Sequence, residues 1–148
     1  MRMLSALLAA ALWLAVPTPG RAADPIAEEA ARSYRVETGG TTGALAKGAT
    51  GKLVLAIVPL SGTHVHPEAP LEIALTATAG VALSKAVLGH ADAQARKDPK
   101  AEAPRFEVPF TATAAGAQEL RARLDFYICS DRWCVKQTRD VAVAIDVK

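Results

Sequence analysis

What this chain lacks narrows it faster than what it contains. It holds two cysteines in 148 residues, which excludes a multi-bridge disulfide scaffold. Its methionines are Met1 and Met3, and of its two tryptophans one is Trp13. From Pro17 onward, therefore, the chain offers no thioether ligand and a single indole, Trp133. Only one long apolar run occurs, Leu4–Val16, and at thirteen residues it is too short to span a bilayer stably. Helix-period segments of useful length are absent as well.

That apolar run has the parts of an export signal. Met1-Arg2-Met3 gives a short basic start, and Pro17 to Ala22 is a breaker region with small residues at its last and third-last positions. The expectation is a signal peptide over residues 1–22, cut near Ala22, with no cysteine at the cut to take a lipid. The mature protein is then expected in the periplasm or secreted, an oxidising space, without membrane insertion once the signal is removed. With Arg2 and Arg21 gone, 15 basic residues face 15 acidic ones, so no electrostatic case for nucleic acid survives. The rest is enough for one domain with one core.

The chain then reads as strands. Asp24 to Arg32 could form a helical turn or two, with Asp24 as cap and Pro25 at the first position, or a flexible leader. Tyr34–Glu37 could be a first short strand, followed by a loop-rich stretch through Gly39, Gly40, Gly43 and Gly48. Residues 23–50 are thus an N-terminal leader or linker, and residues 51–148 the main domain. In that domain Lys52–Pro59 is a nearly continuous apolar run, whereas Leu71, Ile73 and Leu75 alternate with polar or small neighbours. Val81–Leu88 is a weaker apolar segment, and Gly89–Pro104 a long polar loop. Alternation strengthens at Phe106–Phe110, Leu120–Ile128 and Val141–Val147. Seven or so short strands at this spacing predict an all-β, antiparallel immunoglobulin-like β-sandwich.

The two cysteines fall at Cys129 and Cys134, at the shoulders of a four-residue connection, Ser130–Trp133. Residues in such positions face each other across a ladder, close enough for a disulfide bond. A bridge closing so small a loop removes little chain entropy, less than the roughly 3 kcal/mol that the loop-entropy relation gives for fifteen residues. It is poorly explained as a stability device, and the readings that stay open are a redox couple, a structural staple in a non-catalytic interaction module, and a metal or free-thiol role. By parity Cys129 sits with Asp125 and Tyr127, opposite Phe126 and Ile128, which points it away from the core. A strained, accessible bridge there would be the labile kind. Trp133 could shield the sulfurs or dock a partner. Arg132 and Lys136 favour a thiolate, Asp125 and Asp131 oppose it, and no proton-shuttling group is evident beside the pair except Asp125, Asp131 and Tyr127.

A second constellation is Thr63-His64-Val65-His66-Pro67-Glu68. In an extended chain His64 and His66 project from one face with Glu68 at the same parity, a set that suits copper or zinc, with His90 or a cysteine to complete the shell. The alternative is a pair of loop-edge histidines hydrogen-bonded to backbone.

Taken together, Gly62 to Leu71, Phe106 to Phe110 and above all Phe126-Tyr127-Ile128-Cys129-Ser130-Asp131-Arg132-Trp133-Cys134 resemble the N-terminal periplasmic domain of the thiol:disulfide interchange protein DsbD. The likeness runs from about Lys52 to the end. It implies an immunoglobulin-like sandwich without a cofactor, in which Cys129 and Cys134 are a redox pair. It also implies electron exchange with thioredoxin-like periplasmic proteins or a membrane thiol reductase, with Cys134 forming the mixed disulfide and Cys129 resolving it. This sequence departs from that family in lacking the transmembrane and thioredoxin-like regions, so the electron source is expected to be a separate protein. Nor does Gly89–Pro104 contain an aromatic residue to cap the cysteines, a role that Trp133 could take.

Overall fold

The computed structural model describes residue 20, residues 22–94 and residues 103–148. Nearly all of the expected signal peptide, and residues 95–102 of the expected polar loop, lie outside the described residues.

The chain opens with a helix, α1 (Pro25–Arg32). Asp24 caps it by accepting the Ile26 N–H at 3.0 Å, and proline sits where no intrahelical donor is needed. Ser33 ends it, with both its N–H and its hydroxyl donating to the Ala30 carbonyl. Ala30 is buried, so the helix is packed onto the domain.

Strands follow as β1 (Tyr34–Glu37), β2 (Ala44–Leu45), β3 (Thr50–Pro59), β4 (His64–Val65), β5 (Glu72–Ala77), β6 (Val81–Leu83) and β7 (Val87–Leu88). After a 3-10 turn at His90–Asp92 come β8 (Arg105–Ala112), β9 (Gly116–Cys129) and β10 (Cys134–Val147). One sheet has the order β1-β3-β8-β6, and the other β2-β10-β9-β5-β7 with β4 also paired to β9. Every pairing is antiparallel except the two-residue contact of β2 with β10. The all-β immunoglobulin-like sandwich expected from the period-2 pattern is the fold that forms.

Alternation explains why these segments become strands. On β8 Phe106, Val108 and Phe110 are buried, and on β9 Leu120, Ala122, Leu124, Phe126 and Ile128 are buried, while Arg121 and Arg123 between them are exposed. Leu53, Leu55 and Ile57 of β3, the neighbour of β8 in its sheet, join the β8 residues in facing those of β9 across one continuous core. Each such side chain is stabilising by about 1.5–3 kcal/mol when fully buried. Gly51 is required where β3 pairs with Phe110 of β8, because a Cβ there would lie 2.7 Å from the Phe110 ring.

The N-terminal segment belongs to the same body. β1 pairs with β3 from Tyr34↔Pro59 to Glu37↔Ala56, and Tyr34 enters the core edge-on to Phe126 with ring centroids 5.0 Å apart. Its hydroxyl donates to Gln137 at 3.1 Å, and the Arg139 guanidinium lies over its ring. The weak segment Val81–Leu88 splits, β6 joining β8 and β7 joining β5, so it crosses from one sheet to the other.

Candidate functional site at the tip of the β9–β10 hairpin

β9 and β10 pair over their whole length, from Gly116↔Val147 to Cys129↔Cys134. The register therefore ends on the two cysteines, which are joined as a disulfide with Cα atoms 4.0 Å apart. Four residues connect them. The Ser130 N–H donates to the Trp133 carbonyl at 2.8 Å, and the Ser130 hydroxyl accepts the N–H groups of Arg132 and Trp133. That hydroxyl turn, rather than a glycine, fixes the tip.

The two sulfurs differ in environment. Cys134 is exposed, whereas Cys129 is only 4% exposed. Parity alone points Cys129 away from the core, and it does stand on the face opposite Phe126 and Ile128. It is nevertheless buried because β4 runs beside β9 there, a pairing the local pattern does not announce. β4 places His64 opposite Cys129 and Val65 opposite Ile128, and the His66 N–H donates to the Tyr127 carbonyl at 3.0 Å. Val65 is buried in the core, so His64 takes the opposite face, the face of Cys129.

One row of that face thus reads His64, Cys129, Cys134 across β4, β9 and β10. The next row has Tyr127 opposite Lys136, and the next has Glu72, Asp125 and Thr138. Pro70, Glu72, Asp125, Tyr127 and Lys136 line a shallow cavity of about 290 Å³ beside the disulfide row. The Thr138 hydroxyl donates to Asp125 at 2.5 Å, and Lys136 and Arg123 approach the same carboxylate at 3.6 Å. The Thr138 hydrogen bond, aided by those two cations, holds the Asp125 carboxyl below its ordinary range. Asp125 is thus tied into an ionic network and is not presented to the sulfurs. Asp131 is exposed at the tip.

Trp133 turns the other way. It is half-buried and packs against the core, with its indole nitrogen buried and without a hydrogen-bond partner among the described residues. Pro25, Glu28, Glu29, Arg32, Leu60, Ser61 and Thr63 line a groove of about 440 Å³ with it, and Arg132 reaches Glu29 at 3.2 Å across the helix. The groove floor is the turn that leads into β4. Gly62 adopts φ +82° there, and the Thr63 hydroxyl donates to the Leu60 and Ser33 carbonyls.

His66 and His90 have ring nitrogens engaged by backbone. His66 Nδ1 accepts the N–H groups of Glu68 at 3.1 Å and Ala69 at 2.9 Å, and His90 Nε2 lies 2.7 Å from the Ala69 carbonyl. Of the two expected metal ligands, His64 stands in the row of the disulfide and His66 spends a ring nitrogen on this turn. Among the described residues no three His, Cys, Asp or Glu side chains gather to hold a metal ion. No local sequence signal marks His64 as a neighbour of Cys129, because the strand it pairs with is set by long-range packing.

Among the described residues no helix is long and apolar enough to cross a membrane. No family model matches the chain, and no curated protein matches it. Solved structures that are similar to it include the following two. The native conformation of Escherichia coli alpha-2-macroglobulin is 19% identical over 78% of this chain and 7% of its own, with a TM-score of 0.46. A conjugative transposon lipoprotein from Bacteroides eggerthii is 12% identical over 74% of this chain and 96% of its own, with a TM-score of 0.37. The chain thus spans a small part of the macroglobulin's length.

Proposed function

We infer that this is an exported thiol:disulfide exchange domain of the kind the DsbD resemblance implies, carrying electrons between thioredoxin-like partners through Cys129 and Cys134. The observation that carries the reading is the asymmetry of the pair, one residue open at a hairpin tip and its bonded neighbour sheltered beside β4. That arrangement suits exchange, since an incoming thiolate must reach one sulfur in line while the other leaves.

Atoms and electrons balance at each step. A thiolate of a reduced dithiol partner attacks Cys134 Sγ, the Cys129–Cys134 bond breaks, and Cys129 leaves as a thiolate that takes up a proton. The partner's second thiol, deprotonated, attacks the partner sulfur of the mixed disulfide and releases Cys134. The partner ends as a disulfide and this domain as a dithiol, two electrons richer. On an oxidised client the same steps run in reverse, and docking supplies specificity that the site's own chemistry does not.

Trapping tests this reading. Cys129→Ala leaves Cys134 as the only thiol, and after activation with a nitrothiobenzoate group it should form a covalent adduct with a reduced thioredoxin-like protein. Cys134→Ala, with only the sheltered sulfur, should form it far more slowly. Equal rates from both variants, or no adduct from either, contradict the reading.

A further inference from the structure

We propose that His64 is a positioning residue for exchange, its imidazole holding the Cys129 sulfur as a thiolate when the disulfide opens. The inference rests on the exchange reading for its use, and on register for its geometry. His64 is the direct antiparallel partner of Cys129, as Cys134 is on the other side, so Cys129 is flanked in one row by an imidazole and by its bonded sulfur. Side chains of directly opposed residues share a face, with Cβ atoms about 4.5–5.5 Å apart, within reach of an imidazole N–H to a sulfur.

The need for such a group follows from burial. A thiolate that forms at Cys129 is largely withheld from water, and a sheltered sulfur ordinarily resists ionisation. Among the described residues, other charged or titratable groups on the face stand further along the strands or belong elsewhere. Lys136 approaches Asp125 at 3.6 Å, Asp125 is engaged by Thr138, and Tyr127 is one row down. Glu72 is two rows down, His66 holds the 68–69 turn, and Asp131 and Arg132 are exposed at the tip. His64 alone among these is in the Cys129 row.

The order of attack then has a physical reason beyond access. Opening the bond at Cys134 makes Cys129 the leaving group, and a leaving thiolate that is stabilised departs faster. Opening it at Cys129 would place the charge on Cys134, outside direct His64 contact in the register. His64 thereby biases exchange toward Cys134.

Two readouts test this without any protein partner. In Cys134→Ser protein the thiolate absorbance at 240 nm titrates Cys129 alone, and adding His64→Ala should lower the thiolate fraction at a given pH about tenfold. His64→Gln keeps an N–H donor and should restore most of it. In the unmodified disulfide, His64→Ala should slow opening by dithiothreitol severalfold, with Gln intermediate. An unchanged Cys129 titration in the Ala variant, or an equal loss in Ala and Gln, would overturn the proposal. If the pair proved too reducing to exchange with partners yet the titration moved as expected, the exchange reading would fail and the His64 assignment would stand.

Discussion

The two ends of the β9–β10 hairpin are built from one ladder yet serve different ends. At the Gly116↔Val147 end, Ile145 and Val147 are buried, and β2 runs alongside, with the Lys148 N–H donating to the Leu45 carbonyl. At the Cys129↔Cys134 end the outward face carries a disulfide, an imidazole, a phenol and an ionic network. The apolar face is continuous between them through Leu120, Leu124, Phe126 and Ile128. Cohesion therefore runs along the whole hairpin, while reactivity is confined to one tip, and the disulfide closes a loop that the ladder already closes.

Breaking the shared part should have the largest effect. Phe126→Ala removes a fully buried ring that meets Tyr34 edge-on, and urea unfolding should show a loss of about 3–5 kcal/mol. Breaking the tip should cost less. Cys129→Ala with Cys134→Ala should lower stability by about 2 kcal/mol by the loop-entropy relation, leave the circular dichroism spectrum unchanged, and abolish exchange with dithiols altogether. A loss as large as that of Phe126→Ala would make the bridge a staple.

A smaller difference separates the two sulfurs. In reduced protein, iodoacetamide should modify Cys134 at least about tenfold faster than Cys129, read by mass spectrometry of partial alkylation, since access limits attack on a sheltered thiol. Equal rates would remove the asymmetry on which the functional reading stands.

The smallest expected effect concerns the neighbouring network. The Asp125 carboxyl is held low in the folded state, so folding favours its ionised form. That contribution is fully present above the unfolded carboxyl's ordinary value and is lost as pH falls through the lowered folded value. Asp125→Asn should therefore make stability decline less steeply in acid than in the unmodified protein, by urea midpoints from neutral pH downward. Because the carboxylate is near solvent, the difference should be modest.

Sequence made the long elements legible because their burial alternates locally. β8, the inner part of β9 and the end of β10 all follow from period-2 runs, and the facing cysteines follow from a four-residue connection. It extended poorly where polar residues continue a strand. Lys136 to Asp140 carry no apolar alternation, yet β10 is unbroken from Cys134 because β9 supplies a partner at every position. The two-residue strands β2 and β4 have no pattern of their own and exist through their neighbours. That is why the cysteine pair could be read from the sequence, while the burial of Cys129 and its pairing with His64 could not.

The most direct test of the central claim is the reduction potential of the Cys129–Cys134 pair in the purified protein, by equilibration with glutathione or dithiothreitol and thiol alkylation. A value between about −120 and −270 mV, the range of exchanging oxidoreductases, is the result expected of an electron carrier. A value below about −300 mV would make the pair a structural bond and contradict the account.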